Sequence, residues 1–186
     1  KAVRSGEGEG VSSMLSSDKS LVGFRNFDGW TALTIASRDG NNSLVKLLVD
    51  ESADISAKTK FGNTPLMEAA NNGHKETVDL LIEKNSDVNG TNSVGYSSLL
   101  LASMSGASEV VSVLLQHGAD HSLPDKDGYT PLMRAAQFGN EECVDVLLKN
   151  GADASAVNKD GISAQQLAAD EEHEQIVEML LSAIAT

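Results

Sequence analysis

The chain has 186 residues, 40% of them apolar, and a net charge of -13 from 27 acidic and 14 basic side chains. That balance argues against nucleic acid and anionic membrane surfaces, both of which are held chiefly by Lys and Arg on phosphates. No apolar run approaches the roughly 18 residues needed to cross a bilayer, and no secretory signal is visible.

The N-terminal residues 1–25 read as a partial copy of a unit repeated further on. Lys1 to Gly6 looks like the end of a helix and its turn. Val11, Met14 and Leu15 align with Val45, Leu48 and Val49 at an offset of 34 residues, a one-residue insertion against the later step. Gly8 and Gly10 each weaken a helix by about 1 kcal/mol against Ala, so this end is expected to fray. Gly6-Glu7-Gly8-Glu9-Gly10 has the wrong glycine spacing, and no preceding strand, for a nucleotide loop. The missing initial Met predicts a segment of a longer protein.

From residue 26 the sequence repeats at a fixed step. Gly29, Gly62, Gly95, Gly128 and Gly161 are each 33 residues apart, and so are Leu48, Leu81, Leu114, Leu147 and Leu180. Val45, Val78, Val111, Val144 and Val177 keep the same register, as do the turn glycines Gly40, Gly73, Gly106 and Gly139. The units are residues 26–58, 59–91, 92–124, 125–157 and a last one at 158–186. Such a period decides the fold before any local reading.

Each unit predicts a tip at the marker glycine and a first helix capped by Thr31, Thr64, Ser97, Thr130 or Ser163. Pro65 and Pro131 follow at the first helical position, where a missing N–H costs nothing. Small residues, a glycine turn and an apolar second helix come next. Gly118 and Gly151 are expected to close their helices in the left-handed conformation; Ser52 and Asn85 hold the equivalent places and should weaken their units. Cys143 shares the buried column of Leu44, Val110 and Ile176, so it reads as a core thiol in a reducing compartment.

The unit Gly-x-Thr-Pro-Leu-x-x-Ala-Ala, then Gly, an apolar helix and Gly-Ala-Asp, resembles the ankyrin repeat over nearly the whole sequence. The resemblance implies an all-α repeat solenoid: helix–turn–helix pairs joined by β-hairpin loops, in one elongated domain. The polar Asp170-Glu171-Glu172 run and Gln165 mark residues 158–186 as a C-terminal capping repeat. The His usual after Thr-Pro-Leu is replaced by Thr34, Met67, Leu100, Met133 and Gln166, which removes a local hydrogen bond the family commonly uses.

Nothing in the sequence reads as a catalytic centre. Gly95-Tyr96-Ser97 lacks the second glycine of a nucleophile elbow. Around Asp125-Lys126-Asp127-Gly128 the first calcium ligand would be Leu123 and the bidentate Glu would be Arg134. His74, His117, His121 and His173 have no spaced Cys or His partner for zinc. No enzyme activity, cofactor or metal is expected.

The aromatics are more telling. Phe27, Trp30, Phe61, Tyr96 and Tyr129 lie within two residues of a marker glycine, and Phe138 ends a first helix. In the family, tips and first-helix ends form a concave recognition face. The resemblance therefore implies a protein-interaction module that holds a partner peptide or domain. Trp30, Phe61, Tyr96, Tyr129 and Phe138 would be apolar anchors, with Phe27 and Met104 beside them. Arg38, Asn63, Asn71, Asn72, Arg134 and Gln137 would give polar contacts, and Glu68 and Arg134 are expected to be groove-facing and partly wet. Most acid falls instead on second helices, for example Glu76, Glu83, Glu141, Glu142 and Glu178. The alternative reading is the regulatory or scaffolding arm of a longer enzyme or channel. A cytoplasmic or nuclear monomer that neither binds nucleic acid nor enters the membrane is expected.

Overall fold

The computed structural model describes residues 19–185. The readings of Val11, Met14, Leu15 and the Gly6–Gly10 stretch lie outside the described residues. After a 3₁₀ turn at Lys19–Gly23, five helix pairs follow: α1 (Ala32–Arg38) with α2 (Asn42–Asp50), α3 (Pro65–Asn71) with α4 (Lys75–Glu83), α5 (Ser98–Ser105) with α6 (Ser108–Gln116), α7 (Pro131–Gln137) with α8 (Glu141–Lys149), and α9 (Ala164–Asp170) with α10 (Glu174–Ile184). First helices pack on first helices and second on second, in sequence order. The core is therefore one continuous strip.

Local chemistry explains the helix starts. Thr31, Thr64, Ser97, Thr130 and Ser163 each accept from the backbone N–H three residues on. This satisfies one of the donors a helix start leaves orphaned. The Leu48 column is fully buried in all five units, and Val45, Val78, Val111 and Val144 are buried with it. Cys143 is fully buried, and desolvation, helped by the Glu142 carboxylate, pushes its thiol up to about 11. Such a thiol is inert.

The loops between units are turns rather than strands. Two isolated bridges, Thr91–Ser97 and Val157–Ser163, are the β-pairing found among the described residues, so the hairpins expected from the resemblance are reduced to their tips. Successive tips are tied by a backbone bond at every step: Lys60 N–H donates to Asp28 C=O (2.9 Å), Ser93 to Phe61 (3.0 Å), Lys126 to Val94 (3.2 Å) and Lys159 to Asp127 (3.2 Å); the Ser93 hydroxyl adds a second bond to Phe61 C=O (2.6 Å). This close approach is why the marker position must be glycine. A Cβ on Gly62 would lie 2.8 Å from the Ser93 nitrogen, at a φ of +81°.

A second set of bonds crosses three of the four junctions at the turn. His74 Nε2 pairs with Arg38 C=O (2.8 Å), Asn140 Nδ2 donates to Ser103 C=O (2.8 Å), and His173 Nε2 pairs with Gln137 C=O (3.3 Å). These bridges use a different column from the absent Thr-Pro-Leu-His histidine. The ring of His74 lies over Gly40 so closely that a Cβ there would be 2.5 Å from it. Ser52 and Asn85 take the expected left-handed conformation, and so does Glu172 (φ +61°), where the other units have a turn glycine.

Candidate functional site

The tips are built by a column the repeat pattern alone did not single out. Asn26, Asn92, Asp125 and Asn158 sit three residues before their marker glycines. Each places a side-chain oxygen on two tip N–H groups, at 2.9–3.0 Å. Thr59 does the same more weakly, accepting only from Asn63 N–H (3.2 Å). A short acceptor side group recurring at a 33-residue step was the signal that could have revealed it.

Three groups of expected site residues are brought together. Arg38 lies over the Trp30 ring, 5.1 Å from its centroid, and pairs with Asp39. Asn92 Nδ2 donates to Asn63 Oδ1, and Asn63 Nδ2 donates in turn to Glu68 Oε1, both at 2.8 Å. Arg134 stacks 3.8 Å over Tyr129 and 5.9 Å from Tyr96, with its guanidinium on Asp125 and on Gln137 Oε1. Tyr96 and Tyr129 are thereby held half-buried on one cation.

Glu68 and Arg134 are drier than expected. Glu68 is only 6% exposed and the Arg134 side chain 13%, because their column is packed on both sides, as at buried Leu101 and Leu167. Burial pushes the Glu68 carboxyl above its ordinary value, against the Asn63 hydrogen bond and the nearby Arg38 charge. Arg134 is spent on its own tip. Asn72 is also engaged, its amide donating to Glu68 C=O (2.8 Å). Met104 is half-buried and Asn71 exposed.

The phenylalanines are different. Phe27 is 89% exposed, Phe61 73% and Phe138 51%. Lys60 Nζ covers one face of Phe27 at 3.4 Å. On the opposite side, Glu109, Glu141, Glu142 and Asp145 line an acidic hollow of about 490 Å³ across the second helices. Among the described residues no helix is long and apolar enough to cross a membrane, and no cluster of three His, Cys, Asp or Glu could hold a metal.

Helix pairs stacked in sequence order at a constant step define a repeat solenoid. The family model for ankyrin repeats, in three copies, matches residues 1–92, 39–125 and 99–185, and the chain belongs to the ankyrin-repeat family. No curated protein matches it. Ankyrin repeats are generally protein–protein interaction modules, and the family is typically non-catalytic.

Proposed function

We propose that this protein is an adaptor or scaffold module that binds a partner peptide or domain across its tips and first helices, as a monomer in the cytoplasm or nucleus. The observation that carries the reading is the exposure of Phe27, Phe61 and Phe138 on the same face as the pre-ordered Trp30, Tyr96 and Tyr129. Rigid aromatics bury large areas at low entropic cost, which makes them interface anchors. Charge on this face is already internally paired at Arg38 and Arg134, so recognition rests on shape and apolar area, with weak salt dependence.

The test is a proteome-derived peptide display selection on the wild type, Phe61→Ala/Phe138→Ala and Tyr96→Ala/Tyr129→Ala. The exposed phenylalanine pair should leave the melting curve in place and lose at least about tenfold in affinity, the effect of one modest anchor. Equal enrichment by the wild type and both variants would remove the groove assignment.

A further inference from the structure

The junction between units 59–91 and 92–124 is held differently from the others. Its turn carries Ala107 where the other junctions have a bridging His or Asn. A side-chain tie is found instead at the other end of α4, in the loop that follows it. Asn89 Nδ2 donates to Gly118 C=O (3.2 Å) and Asn89 Oδ1 accepts from Asp120 N–H (2.8 Å), both in the next unit. The equivalent residues Ser56, Ser122 and Ser155 turn back on their own Asp54, Asp120 and Asp153, at 2.6–2.7 Å. The Asn89 amide thus ties together the junction that Ala107 leaves without a turn bond.

Asn89 is followed by Gly90, and an asparagine before a glycine is chemically labile. Gly90 has no Cβ to block the approach, so its backbone nitrogen can attack Asn89 Cγ, closing a succinimide ring and expelling ammonia. Water then opens the ring to aspartate, or to isoaspartate, in which the side-chain carbonyl carries the main chain. Water is the sole co-reactant. The chain has three Asn-Gly pairs, and their settings differ. Asn72 and Asn150 cap α3 and α8. Each places its amide on the carbonyl four residues back (2.8 Å), and the glycine N–H that follows donates to a helix carbonyl (3.2 and 3.0 Å). Asn89 is exposed in a loop, and Gly90 N–H is not tied to a helix carbonyl. The bonds that hold the Asn89 amide are those of the junction itself.

We propose that Asn89-Gly90 is a site of spontaneous deamidation gated by this junction: the amide cyclises when the two loops part, and the product keeps them from closing fully again. Local opening of this kind is how a folded chain exposes a bonded side group. The new carboxylate still accepts from Asp120 N–H, but it has nothing to donate to Gly118 C=O and sets an oxygen against it. Its charge enters between loops that already carry Asp87 and Asp120. The isoaspartate form also lengthens the main chain just before Gly90 and Thr91, and Thr91 forms the bridge to Ser97 that leads into α5. The stack is loosened at one junction while the units on either side stay folded.

The experiment incubates the whole protein at neutral pH and follows peptide maps by mass spectrometry, with aspartate and isoaspartate separated. Asn89 should convert first, ahead of Asn72 and Asn150, and more slowly in the folded protein than in urea. Gly90→Ala should suppress the conversion. A Cβ there meets first Asp87 Oδ2, at 3.0 Å, the end of a side chain that can move aside, so this variant should fold. Hydrogen exchange reads the consequence. Ser93 N–H is bonded across this junction to Phe61 C=O, and Lys60 N–H across the preceding one to Asp28 C=O. In aged protein and in Asn89→Asp, exchange at Ser93 should speed up by about fivefold relative to Lys60, the effect of one lost hydrogen bond. Aged Gly90→Ala should show no such change. Earlier conversion at Asn72 or Asn150, an Asn89 that stays intact, or conversion as fast in the folded protein as in urea would overturn the proposal. So would unchanged exchange at Ser93 in Asn89→Asp.

Discussion

His74 Nε2 lies 2.8 Å from the carbonyl oxygen of Arg38, one unit back, and closes the junction between the first two full repeats. Asn140 and His173 do the same at later junctions. The residue in this register at the remaining junction is Ala107, which has nothing to reach with. Ala107→Asn should therefore stabilise the fold by about 1 kcal/mol, and His74→Ala should destabilise it by a similar amount. Urea midpoints at constant m-value would show both; an unchanged midpoint for Ala107→Asn would mean the bridges add nothing.

Glu172 holds a left-handed backbone (φ +61°) that costs a residue with a Cβ about 1–2 kcal/mol. Glu172→Gly should raise stability by about 1 kcal/mol after the extra entropy of glycine is set against that relief. Ser52→Gly, at φ +67°, should act in the same direction. Thermal melts of the two single variants would check this.

Arg134 sits on the carboxylate of Asp125, whose side chain is 1% exposed. Arg134→Ala leaves that carboxylate buried without its cation and should cost about 3 kcal/mol. Arg134→Lys should recover little, because a point charge cannot reproduce the fork that serves Asp125 and Gln137 together. Guanidinium unfolding of the two variants decides it. A loss below about 0.5 kcal/mol for Arg134→Ala would show the pair to be a surface-like contact.

Glu68 sets a pH dependence. Its folded pKa is raised from the ordinary 4.5 by burial, so the native state holds the proton more tightly than the unfolded state. Stability contributed by this group is present below pH 4.5 and is lost as pH rises through the folded value. Glu68→Gln keeps an acceptor for Asn63 and has no charge to desolvate. The Gln variant should be the more stable at pH 7, with the gap closing as pH falls through the raised folded value towards about 4.5. Asp120 and Asp153, held below the carboxylate range by Ser122 and Ser155, destabilise both proteins alike in acid and cancel in the comparison.

Much of this architecture was legible in the sequence because it is written in single columns. The caps, the Leu and Val strips and the left-handed Ser52 and Asn85 follow from residue type and a 33-residue step. What escaped lies between columns. The junction bridges end on backbone carbonyls, which carry no sequence signal, so neither their existence nor the gap at Ala107 could be read. The burial of Glu68 was readable in principle, since Leu101 and Leu167 share its column; charge was given more weight there than the apolar neighbours. On the tip face, exposure separates free phenylalanines from aromatics already stacked on Arg38 or Arg134, and that distinction needs coordinates.

At all four steps between successive tips a backbone N–H donates to a backbone carbonyl oxygen, a bond that does not depend on which side groups the two residues carry. Residues such as Phe61, Val94 and Asp127 can therefore be exchanged while the backbone bonds that space the tips stay in place. The tips act as a ruler whose graduations are fixed by backbone and whose lettering can be rewritten. Changes of partner are then reachable through single substitutions at those exposed positions, leaving the Asn26, Asn92, Asp125 and Asn158 column that builds the tips untouched.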